Sequence, residues 1–513
     1  MLRGVTLKRA KFDNMDIQFD NSYARLPKYF HRRTLPTPVK QAELIIFNDK
    51  LAEQLGISKK QSDNNKIAQI FSGNTIPTGS EPIAMVYAGH QFGGFSPQLG
   101  DGRAILLGEV LSSEGERYDL QLKGSGPTPY SRSGDGRSAL GPVLREYLLS
   151  EAMAKLGVPT TRALCAVTTG EQVARNTLVA GGIITRIAKG FVRVGTFEYF
   201  SAQGNQEAIK QLTDYEIARH FSEIKNTETK LTGNPYQDFL AHVIDKQAQL
   251  IASWMNLGFI HGVMNTDNMA ISGETIDYGP CAFMDEFSHN RVYSSIDRNG
   301  RYAYANQPQI GQWNLIRLAE TLLPLLKEEE QENSMAVDIA QELLKTYEVK
   351  YNEYWIAGMR KKLGLTTVAD NDTALAKELL DCMESSQADF TLTFYYLSQL
   401  SNTPSKADNK LQQLFSASKS LNTWLEKWRN RLDQESSNDH ERQAIMQAVN
   451  PVYIPRNHQV ERAIRAAEDN NDFSVFHALH EVLQKPFEYQ QGNDSYMLSP
   501  QADEVVHQTF CGT

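Results

Sequence analysis

Residues 261–279 read His261-Gly262-Val263-Met264-Asn265-Thr266-Asp267-Asn268-Met269-Ala270-Ile271-Ser272-Gly273-Glu274-Thr275-Ile276-Asp277-Tyr278-Gly279, and the fold follows from how these residues are spaced. The apolar periodicity from Tyr236 to Leu257 predicts a helix that runs through Gly258-Phe259-Ile260 and delivers this stretch as a loop. A turn at Gly273-Glu274 then separates Asn268 from Asp277. Both are hard oxygen donors of the kind that hold a divalent cation, and keeping them in a cleft without an ion is costly.

Outward toward the N-terminus, Ala104–Val110 and Tyr118–Lys123 are short apolar-rich runs around a turn at Ser112–Glu116, which predicts a β-hairpin. A Gly-, Ser- and Pro-rich loop covers 124–142. From Val143 to Leu156 the spacing of Leu144, Leu148, Ala152 and Leu156 predicts a helix, ended by Gly157 and Pro159. Gly181–Ile187 reads as a further strand, and beyond Arg193 the pattern is mainly helical. A strand ending in Lys, then a helix carrying Glu, then a helical half with a His/Asn loop followed by Asp-x-Gly is the order of a protein kinase. On that template His261 takes the place of the loop His, Asn268 that of the metal-binding Asn and Asp277-Tyr278-Gly279 that of D-F-G, while Val263 stands where a kinase keeps its catalytic Asp. Valine neither orients nor deprotonates a hydroxyl, yet a carboxylate has arisen at Asp267. The reading is therefore an active nucleotide site in which the reacting phosphate lies elsewhere.

The expected fold is α+β and protein-kinase-like. Its parts are an N-terminal extension over 1–80, an N-lobe with nucleotide-binding loops over 81–195, a helical C-lobe with the metal and catalytic loop over 196–400, and a C-terminal helical region over 401–513. Gln98-Leu99-Gly100-Asp101-Gly102-Arg103 opens a strand with glycines, which let backbone amides approach phosphate. Lys123 closes the next strand, where a cation pairs phosphates and a helix Glu. Glu146 and Glu151 are both candidates for that partner, about 140° apart around the helix, and both border the apolar stripe. Asp135-Gly136-Arg137 repeats the D-G-R of 101–103, and Arg186 and Arg193 are further cations suited to forking onto phosphate oxygens.

Together these motifs resemble the selenoprotein O family, a protein adenylyltransferase family in its bacterial members. The likeness runs through Val86–Gly93, Gln98–Glu109, Gln121–Arg132, His261–Gly279 and Asn450–His458, and covers most of 80–460. It implies a pseudokinase-like fold that binds ATP inverted relative to kinases and transfers AMP to Ser, Thr or Tyr hydroxyls of proteins. By that resemblance Gly100, Gly102 and Arg103 contact the nucleotide, Lys123 pairs with Glu146, and Asp135, Gly136, Arg186 and Arg193 hold the inverted phosphates. Asp267 becomes the proton acceptor, and Asn268 and Asp277 hold Mg²⁺, or Mn²⁺ in its stead, with Asp277 also near the nucleotide. Family members often carry a redox-active Sec or Cys near the C-terminus; here the residue is Cys511, and Cys281, four residues after Asp277, is its candidate partner. Two rival readings are a small-molecule phosphotransferase, which calls for an Asp at 263, and a nucleotide-binding scaffold without turnover.

Composition narrows the setting. A net charge of −9 on 513 residues argues against broad nucleic-acid binding, and no apolar run approaches the roughly 20 residues of a membrane span. Four scattered cysteines and no recognisable export signal fit a reducing, cytoplasmic compartment.

Overall fold

The computed structural model describes residues 15, 17–58, 63–225, 232–328, 330, 332–416 and 418–510. The fold is α+β. Its strands are β1 (His31–Arg33), β2 (Glu43–Phe47), β3 (Ile83–Met85), β4 (Gly89–Gln91), β5 (Gly94–Ser96), β6 (Ala104–Leu111), β7 (Arg117–Lys123), β8 (Ser138–Ala139), β9 (Arg162–Ala174), β10 (Leu178–Ala188), β11 (Phe259–Ile260) and β12 (Ala282–Phe283). An eight-stranded antiparallel sheet runs β1-β3-β6-β7-β10-β9-β2, with β8 also on β10. The first eighty residues therefore supply the outermost strand at both edges.

Alternation along the strands decides what faces the cleft. In β7, Leu120 and Leu122 enter a core closed by the helices Asp49–Gln54 and Asn64–Phe71, so Gln121 and Lys123 project from the opposite face. In β10, Ile183 and Ile187 enter that same core, and Arg186 joins Lys123 on the cleft side. That face is covered by the helix Leu140–Lys155, which starts three residues before the predicted Val143. Pro142 fits there because the first turn of a helix needs no amide donors.

The helix Leu140–Lys155 is buried on nearly all sides, because the C-terminal helices Asn457–Asn470 and Ser474–Leu483 close its outer face. Glu468 accepts from the Gly141 amide (2.8 Å), and Asn457 accepts from Arg145 (3.0 Å). Below the sheet, the helix Pro235–Leu257 is capped by Asn234 and ended by Gly258 at φ 69°, a left-handed C-cap that turns the chain into β11 and the 261–279 stretch. No helix among the described residues is long and apolar enough to cross a membrane.

Candidate active site

The deepest part of the cleft is a cluster of two cations and two carboxylates. Lys123 Nζ donates to Glu146 Oε2 (2.7 Å) and to Asp277 Oδ1 (3.0 Å). Arg186 donates Nε to Glu146 Oε1, Nη2 to Asp277 Oδ1 (3.1 Å) and Nη1 to Gln121 Oε1 (3.3 Å). Burial alone would raise the Glu146 carboxyl; Arg186 and Lys123 outweigh it and hold it below the usual range. Asp277 is held well below that range by the same contest, burial against Lys123, Arg186, Arg103 and Arg193. Its backbone sits at φ 65°, a left-handed conformation that Asp tolerates better than most residues and that aims its carboxylate at both cations. The other glutamate open from helix phase, Glu151, faces elsewhere: it accepts from Arg162 (2.9 and 2.8 Å), the Ala163 amide (2.9 Å) and Asn48 (2.9 Å).

The 261–268 loop is fixed by its own side chains. His261 Nε2 bonds the Ile276 carbonyl (2.8 Å), tying the two ends of the stretch together, and burial lowers its pKa so that the ring stays neutral. Asn268 donates Nδ2 to the Val263 carbonyl (3.0 Å), which commits its nitrogen and leaves Oδ1 as its atom for a cation. Arg193 reaches the Asp267 carbonyl (2.9 Å), lies 4.3 Å over the Tyr87 ring and stands 3.7 Å from Asp101.

Asp267 is the group whose state is most unusual. Burial pushes its carboxyl up to about 6, against the hydrogen bond from Gln91 Nε2 to Oδ2 (3.2 Å) and the charge of Arg193. Its Oδ1 is buried without a protein hydrogen-bond partner. A carboxyl pushed up to about 6 is suited to taking a proton near neutrality.

Asp267 lines a cavity of about 460 Å³ with Gly100, Gly102, Arg103, Asp135 and Gly136. Both D-G-R stretches thus contribute to its wall, Gly102 and Arg103 from one and Asp135, Gly136 and Arg137 from the other. Gly136 is required at its place, because at φ 65° an added Cβ would meet the Gly126 carbonyl carbon at 2.1 Å. Asp135 is engaged by Arg175 (3.0 Å), which brings into the wall a cation absent from the sequence reading. Arg132, Tyr87 and Gln91 also line the cavity. Gln91 lies in the quoted block Val86–Gly93, whereas Arg175 sits in the β9–β10 turn, where nothing in the sequence distinguishes it from a surface arginine. Six of the expected residues therefore share the cavity, Lys123, Glu146, Arg186 and Asp277 share the ion cluster, Asn268 closes the 261–268 loop, and Arg193 bonds that loop at Asp267.

Cys281 is fully buried, and burial pushes its thiol up to about 12. The expected pairing with Cys511 lies outside the described residues. Thr509 donates to the Pro280 carbonyl (2.5 Å), next to Cys281 in the chain. Among the described residues no group of three or more His, Cys, Asp or Glu is arranged to hold a metal.

A family model described as "Protein adenylyltransferase SelO" matches residues 13–484. The chain is 52% identical over 497 residues to the protein nucleotidyltransferase YdiU of Agrobacterium fabrum, covering 97% of this chain and 100% of that one. It is 54% identical over 496 residues to the protein of the same name from Rhizobium meliloti, covering 97% and 99%. With that of Bradyrhizobium diazoefficiens it shares 52% over 495 residues, covering 96% and 99%.

Proposed function

Since this chain belongs to the SelO protein adenylyltransferase family, we propose that it binds ATP in the arginine-lined cavity and transfers AMP to Ser, Thr or Tyr hydroxyls of proteins. The sheet-bearing half and the helical half are read as kinase-like lobes, with ATP inverted so that its α-phosphate faces the acceptor. The observation that carries this reading is the pair Val263 and Asp267. The kinase position for a catalytic carboxylate is apolar, while Asp267 lines the cavity with its carboxyl pushed up to about 6.

The chemistry follows from that placement. Asp267 accepts the proton of the incoming hydroxyl as its oxygen bonds to the α-phosphorus, the bond from that phosphorus to the bridging oxygen breaks, and diphosphate leaves. Gly100 and Gly102 let the backbone approach the nucleotide, while Arg103, Arg186 and Arg193, with Asp135-Gly136 shaping the far wall, orient the phosphates. Lys123, anchored by Glu146, adds positive charge at the cleft floor. Asn268 Oδ1 and the ionised Asp277 would hold Mg²⁺, which would supply positive charge against the triphosphate.

Labelled ATP tests the reading. Label at the α-position should become bound to protein, and label at the γ-position should leave with diphosphate. Protein-bound γ-label with no α-label makes the chain a kinase and refutes the proposal.

A further inference from the structure

The block Val86–Gly93 does more than supply Gln91. Strands β4 and β5 form a hairpin turned at Phe92 and Gly93, with φ of 52° and 86°. One edge is bonded to the loop that carries Asp267: His90 N donates to Thr266 Oγ1 (2.7 Å), Phe92 N to Asn265 Oδ1 (3.1 Å) and Gln91 Nε2 to Asp267 Oδ2 (3.2 Å). Its tip is open, for Gly93 and Gly94 are exposed and Phe95 is 42% exposed.

Beside that tip stands a cation on an aromatic platform. Arg301 lies 4.8 Å over the Trp313 ring, and a Cβ on Gly93 would touch its guanidinium carbon at 3.6 Å. Arg317 shares the Trp313 ring at 5.1 Å but is paired with Glu320 (2.7 Å). The acid nearest to Arg301 in sequence, Asp297, spends both oxygens on the amides of Arg301 and Tyr302 (2.9 and 2.8 Å). Arg301 Nε is buried without a hydrogen-bond partner, and a cavity of about 390 Å³ opens between Arg301, Phe92 and Gln309.

We infer that the β4–β5 tip, Arg301 and Trp313 form the surface that receives the acceptor protein, as an extended segment whose Asp or Glu side chain binds Arg301. The inference rests on the proposed adenylyl transfer and names its substrate class. Charge complementarity selects the occupant, because Arg301 lines a cavity whose lining residues include no carboxylate, and its side chain bonds the neutral Tyr302 rather than an acid. The path from Asp267 to Arg301 runs through Gln91, Phe92 and Gly93, so an acceptor laid alongside covers it in about three residues.

Peptides test this directly. Two sets carry a single Ser, Thr or Tyr in a Gly-Ala background, one set with Glu three residues to either side and the other with Lys. AMP transfer from α-labelled ATP is measured for each. The wild-type chain should favour the Glu set about 10-fold in kcat/KM, the worth of one charge-assisted hydrogen bond. Arg301→Glu should reverse the preference toward Lys, a change that loss of packing does not produce. If that variant fails to fold, Arg301→Gln should flatten the preference, and Phe95→Ala should raise KM for both sets without altering their ratio. Equal use of both sets by the wild type, or a Glu preference that survives loss of the Arg301 charge, overturns the inference. Labelling of the chain itself with neither set used assigns the surface to a second copy and also overturns it, leaving adenylyl transfer intact. No α-label on any protein removes both.

Discussion

Gly89→Ala tests how tightly Asp267 is held. The substitution adds one methyl group at a position with ordinary backbone angles, so only space is at issue. An added Cβ would lie 2.4 Å from Asp267 Oδ1 and 2.9 Å from its Cβ and Cγ. Non-bonded carbon contacts settle at about 3.5–4.0 Å, so the carboxylate must move by about 1 Å. The loop backbone cannot absorb the shift, because a Cβ built on Gly195 would stand 3.3 Å from the Asp267 Cα, so the displacement falls on the carboxylate. A displacement of that size at a reacting group costs about 100-fold in rate. Steady-state AMP transfer should therefore show kcat down about 100-fold, while calorimetry finds ATP affinity changed by less than about 3-fold, since the loss falls on the chemical step. A thermal melt reports whether the fold persists. A kcat within about 3-fold of the parent would show that Asp267 is not the proton acceptor or is not positioned by this contact.

Three further outcomes follow from the ion pairs. Glu146→Ala should lower transfer about 100-fold with weaker ATP binding, because Lys123 and Arg186 lose their shared anchor, whereas Glu151→Ala should cost about 3–5 kcal/mol of stability and spare transfer below the melt; kinetics beside thermal denaturation separates the two. Asp277→Asn should weaken ATP binding in Mg²⁺ at least about 10-fold, and a chelator should do the same to the parent, so metal-independent binding in calorimetry would refute the ligand assignment. Glu435 is raised by burial but brought down to about 2 by Thr366, Thr367 and Arg431. The stability it contributes is therefore complete above about pH 4.5 and lost as pH falls toward about 2. In acid titrations Glu435→Gln should melt with less pH dependence across that window, and equal slopes would refute the pairing.

The sequence made the local elements legible and left the long-range ones dark. The β6–β7 hairpin and the helices Leu140–Lys155 and Pro235–Leu257 announce themselves by period, because each reads from a single continuous window. Strands β1 and β2 are only three and five residues long, and β2 pairs with β9 across more of the chain than any window spans. Periodicity left Glu146 and Glu151 level because both are in fact buried, each satisfied by cations from different strands. Burial was written in the helix pattern, but the partner was written in β7, β9 and β10. Arg175 illustrates the same limit: it reaches the cavity only because the β9–β10 turn folds over Asp135.

The charge balance in the cleft sets what the proposed nucleotide site would still need. Lys123 and Arg186 are each shared between Glu146 and Asp277, so two cations face two carboxylates and the cluster is close to neutral before any nucleotide arrives. A triphosphate entering there cannot be neutralised by those cations alone. On the proposed reading the added charge would come from the cavity wall, which Arg103 and Arg132 line, and from a divalent ion held by Asn268 and Asp277. A divalent ion held at Asp277 would share the carboxylate that Lys123 and Arg186 now pair with, leaving those two cations more positive charge to offer phosphate. On that reading the carboxylate cluster would hold Lys123 and Arg186 in place for the phosphates rather than compete with nucleotide binding.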